Sequence, residues 1–147
     1  MLHQAAPNFI ATNQHGETVS LNQFLGKKLV LYFYPKDDTS GCTAEACDFR
    51  DNYKSLLSQG YQVVGVSTDG VKSHKKFAEK YELPFHLLAD EDRSVVNAYG
   101  VWAEKSMYGR KYMGTNRVTF LIDEAGIIAK IITKVDTKNA SKQILEA

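Results

Sequence analysis

The sequence of 147 residues predicts an α/β fold, a central mixed sheet flanked by helices and entered through an N-terminal hairpin. Three observations predict it. The runs Lys28–Tyr34 and Tyr61–Ser67 are rich in Val, Leu, Tyr and Phe with few polar breaks, as in strands buried on both faces. A stretch of helical periodicity separates them, so those two strands run parallel. Near the C-terminus, Arg117–Asp123 and Gly126–Val135 flank the short turn Glu124-Ala125-Gly126, which demands an antiparallel pair.

The elements follow in order. Phe9–Thr12 and Glu17–Leu21 form the opening hairpin through the turn residues Asn13 to Gly16. Pro35 stops the first long strand. Thr39 or Ser40 caps a helix from Gly41 to Ser58, in which Ala46, Phe49, Tyr53, Leu56 and Leu57 recur at helical spacing before Gly60. Val71–Tyr81 is an amphipathic helix with Phe77, Ala78 and Tyr81 on one side and Pro84 past its end. His86–Ala89 reads as a short strand, Ser94–Tyr99 as a short helix, and Gly100–Thr115 as a long irregular loop. Asn139–Glu146 closes the chain with a last helix.

Composition narrows the function. A chain of this length buries roughly 68–70% of its unfolded surface as a single domain, residues 1–147, and needs no disulfide staple. Eighteen basic residues against 17 acidic leave a charge near +1, which argues against nucleic acid as a partner. No apolar run approaches the roughly 18 residues of a membrane helix. The start, Met1 to Pro7, does not read as a signal peptide, so the expected compartment is the reducing cytoplasm. Neither phosphate-cradling glycine motif is present, so no nucleotide cofactor is expected. His3, His15, His74 and His86 are scattered and predict no metal site. The acidic runs Asp37-Asp38 and Asp90-Glu91-Asp92 read as solvated turns.

One segment stands apart, Tyr34 to Cys47. Cys42 falls within the first turn of a helix that follows a buried strand. Unpaired N–H groups and the positive end of the helix dipole there favour thiolate over thiol, and the thiolate is the nucleophile. The polar, small flanks Ser40, Gly41 and Thr43 suit a reactive residue, whereas a space-filling role suits Cys47 better.

These residues resemble a family. Pro35-x-x-x-Thr39-x-x-Cys42 matches the active-site motif of the peroxiredoxins, and Cys47, five residues on, is similar to the bacterioferritin-comigratory-protein (Prx Q) branch. The similarity extends through Phe9, Leu29–Pro35, Val63–Asp69, Tyr99–Trp102 and Asn116–Asp123. The resemblance implies a thioredoxin-like fold and thiol-dependent reduction of hydrogen peroxide and organic hydroperoxides. It implies Cys42 as peroxidatic nucleophile and Cys47 as resolving thiol, with Thr39, Arg117 and Pro35 as companions. Thr39 Oγ1 and first-turn N–H groups can face the peroxide, Arg117 can hold thiolate and oxygen, and Pro35 can shield the site. A thioredoxin-like dithiol is the implied reductant.

Spacing adds a constraint. Residues five apart in an ideal helix have Cα atoms about 8.6 Å apart, whereas a disulfide needs at most about 7 Å. Bridging Cys42 to Cys47 therefore requires the helix to open. A Cys-x-x-Cys oxidoreductase would bridge within its helix, and the spacing here excludes that reading. No cysteine follows Cys47, so an intramolecular disulfide and a monomer are expected. A partner-binding protein with merely redox-sensing thiols is the competing class.

Overall fold

A computed structural model describes the whole chain, Met1–Ala147. Strands β1 (Ile10–Thr12) and β2 (Thr18–Ser20) form the opening hairpin, and β3 (Lys28–Phe33) follows a short 3-10 turn at Leu21–Phe24. Then come α1 (Ser40–Asp51), α2 (Tyr53–Ser58), β4 (Tyr61–Ser67), α3 (Val71–Tyr81), β5 (His86–Ala89) and α4 (Ser94–Ala98). The chain ends with β6 (Trp102–Met107), β7 (Arg110–Thr115), β8 (Val118–Ile122), β9 (Ile128–Ile132) and α5 (Ala140–Leu145). No helix is long and apolar enough to cross a membrane.

Seven strands form one mixed sheet in the order β2-β1-β5-β4-β3-β8-β9. As the sequence requires, β3 and β4 pair in parallel and β8 and β9 antiparallel. Strand β3 is central and shows why its residues are apolar without interruption. Leu29, Leu31 and Phe33 enter one core, with Phe9, Val96 and Phe120. Val30, Tyr32 and the following Tyr34 enter the other, with Cys42, Phe49, Phe77 and Ile144. The second core is the one beneath α1, α3 and α5, and it includes Cys42. Gly65 on β4 makes room in it, because a Cβ there would lie 2.8 Å from the Tyr32 ring.

The structure corrects two expected elements. The helix expected over Gly41–Ser58 is broken at Asn52, whose backbone leaves helical geometry at φ −108° and ψ 13°. Its side-chain amide donates to the Asp48 carbonyl at 2.9 Å, beside its own backbone N–H at 3.1 Å. The segment Gly100–Thr115 is not an irregular loop but a two-stranded hairpin, β6–β7, turned at Tyr108 (φ 52°) and Gly109 (φ 77°). Two successive positive φ values are the geometry that matches hairpin twist. Most of β7 is exposed, so no core-facing alternation betrays it in the sequence.

Candidate functional site

Strand β3 delivers the chain to Pro35, and the loop from there to Thr39 turns it into α1. Thr39 occupies the N-cap position with extended backbone, and its carbonyl accepts from Thr43 N at 2.8 Å. Its hydroxyl caps nothing and instead donates to the Lys36 carbonyl at 2.9 Å, across the loop. Cys42 is the third residue of α1 and is 1% exposed.

Arg117, just ahead of β8, reaches that thiol from the neighbouring strand. Its Nη2 lies 3.2 Å from Cys42 Sγ, and its Nη1 donates to Glu45 Oε1 at 2.8 Å. Glycine at position 41 permits this approach, since a Cβ there would stand 3.2 Å from Arg117 Nη2. Burial works against the guanidinium charge, but the bonds and charges of Cys42 and Glu45 outweigh it and hold Arg117 above its ordinary range. One cation thus serves two acidic side chains on the same helix face, three residues apart.

Glu45 is wholly buried, and its second oxygen, Oε2, has no partner. Burial pushes its carboxyl up to about 7, and Arg117 only partly offsets this. Lys105 on β6 also belongs to the surroundings. Its ammonium donates to the Thr115 carbonyl, two residues before Arg117. Burial and the charge of Arg117 lower its proton affinity, while Cys42 acts the other way.

Of the five residues predicted for the site, Cys42 and Arg117 are in contact. Thr39 stands at the start of the helix that carries Cys42, with its hydroxyl turned to Lys36. Pro35 is half-buried at the end of β3. Cys47 lies on α1, half-buried and free like Cys42. Burial raises its pKa, with Arg50 opposing. Burial is the reverse of what the flanks predict, because polar neighbours do not prevent the helix from turning Cys42 inward onto the core.

Glu45 and Lys105 were missed. A carboxylate three residues after Cys42 on the same helix face was the available hint for Glu45. Lys105 carried none once its segment was read as a loop. The two acidic runs also need correction. Asp37 and Asp90 are buried (8% and 1% exposed), and Asp90 accepts the N–H groups of Val95 and Val96 at the start of α4. Ligand atoms of Asp37, Asp69 and His74 lie within 4.8 Å of one another, a spacing that could admit a metal ion. Those atoms are already hydrogen-bonded to one another and to nearby residues, so they form a closed polar cluster without one.

Residues 2–131 match the model of the AhpC/TSA family. The chain belongs to that family. A putative peroxiredoxin bcp of Coxiella burnetii is 52% identical over 132 residues, covering 90% of this chain and 87% of the relative. Peroxiredoxin Bcp of Bacillus subtilis is 46% identical over 143 residues, covering 97% and 91%. Among solved structures, the bacterioferritin comigratory protein of Xanthomonas campestris, studied for its alkyl peroxide reduction activity, superposes with a TM-score of 0.88. It is 35% identical and covers 94% of this chain and 88% of its own. These AhpC/TSA neighbours share the thioredoxin-like arrangement of a central mixed sheet between helices, and they place the chain in the Bcp/Prx Q branch.

Proposed function

We propose that the chain is a thiol-dependent peroxidase that reduces hydrogen peroxide and organic hydroperoxides, with Cys42 as nucleophile. The observation that carries the reading is the 3.2 Å contact between Arg117 and a thiol at a helix start. Guanidinium and helix dipole both favour negative charge on sulfur. The Cys42 thiolate attacks one peroxide oxygen. The S–O bond forms as the O–O bond breaks, and hydroxide or alkoxide leaves to take up a proton. Cys42 is then a sulfenic acid, oxidised by two electrons, and the substrate has become water or an alcohol.

Arg117 acts in this reading as the preorganised donor for both thiolate and peroxide. Thr39 and Pro35 shape the approach: Thr39 starts the helix that carries Cys42, and Pro35 ends the strand beside it. Cys47 resolves the intermediate. Its sulfur displaces hydroxide from the sulfenic acid, giving water and the Cys42–Cys47 disulfide, which a dithiol such as thioredoxin reduces by exchange. Burial makes the Cys47 thiol harder to ionise while the helix is folded. Both reacting sulfurs lie on one helix, so the disulfide forms within one chain, and residues 1–147 can act as one domain and a monomer. A reducing cytoplasm, which supplies the dithiol, is the setting this chemistry fits.

Steady-state peroxide consumption with thioredoxin, its reductase and NADPH tests the reading. The wild type should turn over many equivalents of peroxide and Cys42→Ser none. Consumption of a single equivalent by the wild type would mark a redox sensor instead.

A further inference from the structure

Beneath the site lies a buried polar cluster that the reaction above does not use. Asp37, in the loop between Pro35 and Thr39, turns its carboxylate into the protein. Tyr34 Oη donates to Asp37 Oδ1 at 2.7 Å, and Ser73 Oγ donates to Oδ2 at 2.8 Å. His74 Nδ1 stands 2.7 Å from the same Oδ2, and His74 Nε2 lies 2.8 Å from the Leu88 carbonyl. The Asp37 amide is held as well, donating to Asp69 Oδ2 at 2.9 Å, which also accepts from Ser67 Oγ at 2.7 Å.

His74 is fully buried, so this arrangement is costly unless every group is satisfied. It is satisfied. Nε2 faces a carbonyl and must carry a hydrogen, and the proton on the Nδ1 side is shared with the Asp37 carboxylate. Burial first, and the Asp37 charge second, keep the Tyr34 phenol protonated and able to donate. The cluster ties α3 and β5 to one point in the loop. That point is two residues before Thr39 and five before Cys42. The neighbouring Asp38 sits in the left-handed region at φ 58°, with its carboxylate bonded to Lys80 and Tyr81. Two successive aspartates therefore fasten the loop, one inward and one outward.

We infer that His74 is a positioning residue for the peroxidatic thiol, acting through Asp37 to hold the loop that sets Cys42 against Arg117. This inference rests on the peroxidase reading. Geometry gives it consequence, because a reacting group misplaced by about 1 Å can cost on the order of 10²-fold in rate. A second consequence concerns the catalytic cycle. If the start of α1 opens to form the disulfide, the chain ahead of Asp38 stays fastened, and the helix rewinds from a fixed point.

The test is single-turnover oxidation of reduced protein by hydrogen peroxide, read by acid quench and the mass of the alkylated product. The wild type and Cys42→Ser come first. A wild type that does not oxidise at Cys42 defeats the peroxidase reading itself, and the inference with it. With that arm passed, Asp37→Asn and His74→Gln are compared at a temperature where circular dichroism shows both folded, and His74→Ala is added if it folds. Each variant should oxidise roughly 10–100-fold more slowly. The double variant should be little worse than the slower single one, as expected for residues acting as a unit. Reduction of the preformed disulfide by thioredoxin should change far less. Lower melting temperatures with wild-type oxidation rates in both folded single variants would make His74 a packing residue only and overturn the inference.

Discussion

Cys42 and Cys47 share one helix and differ in almost everything else. Cys42 is sealed into the core beneath α1, 1% exposed, with a guanidinium nitrogen 3.2 Å from its sulfur. Cys47 is half-buried near the outer side of the helix, and burial makes its thiol harder to ionise. Five residues of helix are enough to place one sulfur in a built electrostatic site and leave the other in an ordinary one. In the proposed mechanism, position on the helix, rather than cysteine itself, divides the two chemical roles. The helix that holds their Cα atoms about 8.6 Å apart is also the obstacle to their union.

The comparison breaks most sharply at Cys42. Cys42→Ser should abolish peroxide turnover while leaving the circular dichroism spectrum intact. Arg117→Met removes the cation and leaves both thiols in place. It should slow Cys42 oxidation by on the order of 10²–10³, as for loss of a charge-stabilising donor. Stopped-flow or quenched-flow oxidation kinetics read this directly, and an unchanged rate would move Arg117 out of the site.

Cys47→Ser sharpens the distinction from the other side. The first oxidation should stay within about twofold of wild type, while turnover driven by thioredoxin falls by at least about tenfold, because an unresolved sulfenic acid accumulates. Trapping with dimedone should report that species in the variant and little of it in the wild type. Normal cycling by Cys47→Ser would make Cys47 a packing residue and assign resolution to an external thiol.

A further expected effect falls on stability. Glu45 has a folded-state pKa of about 7, raised from an ordinary 4.5 by burial. Between those values the native protein binds more protons than the unfolded chain, so its stability falls as pH rises through that window. Glu45→Gln removes the titrating group. Relative to wild type, the variant should gain on the order of 2–3 kcal/mol between pH 4.5 and 7.5, measured by urea unfolding at each pH. A constant difference across the range would show that Glu45 does not titrate there.

Which parts of this molecule could be read from its sequence follows from where the information lies. Strands β3 and β4 are buried on both faces, so their apolar runs announce them, and the helix between them sets their direction. The motif around Cys42 is local and equally legible. The β6–β7 hairpin was not, because it is held by turn geometry at Tyr108-Gly109 rather than by a buried face. Arg117 lies 75 positions from Cys42, and only the family resemblance suggested their contact. Glu45 offers only its place three residues after Cys42 as a hint and His74 offers none, since a buried ionisable group is defined by its partners. Those partners, Arg117 and Asp37, come together only when the chain has folded.

In the proposed cycle, the helix holding the two sulfurs apart must open. Hydrogen exchange by mass spectrometry on reduced and oxidised protein tests it most directly. Oxidation should accelerate exchange in the peptide spanning Thr39–Asn52, and thioredoxin or dithiothreitol should restore protection. Equal protection of that peptide in both states, with a Cys42–Cys47 bridge confirmed by mass, would show that the bridge forms without the helix opening.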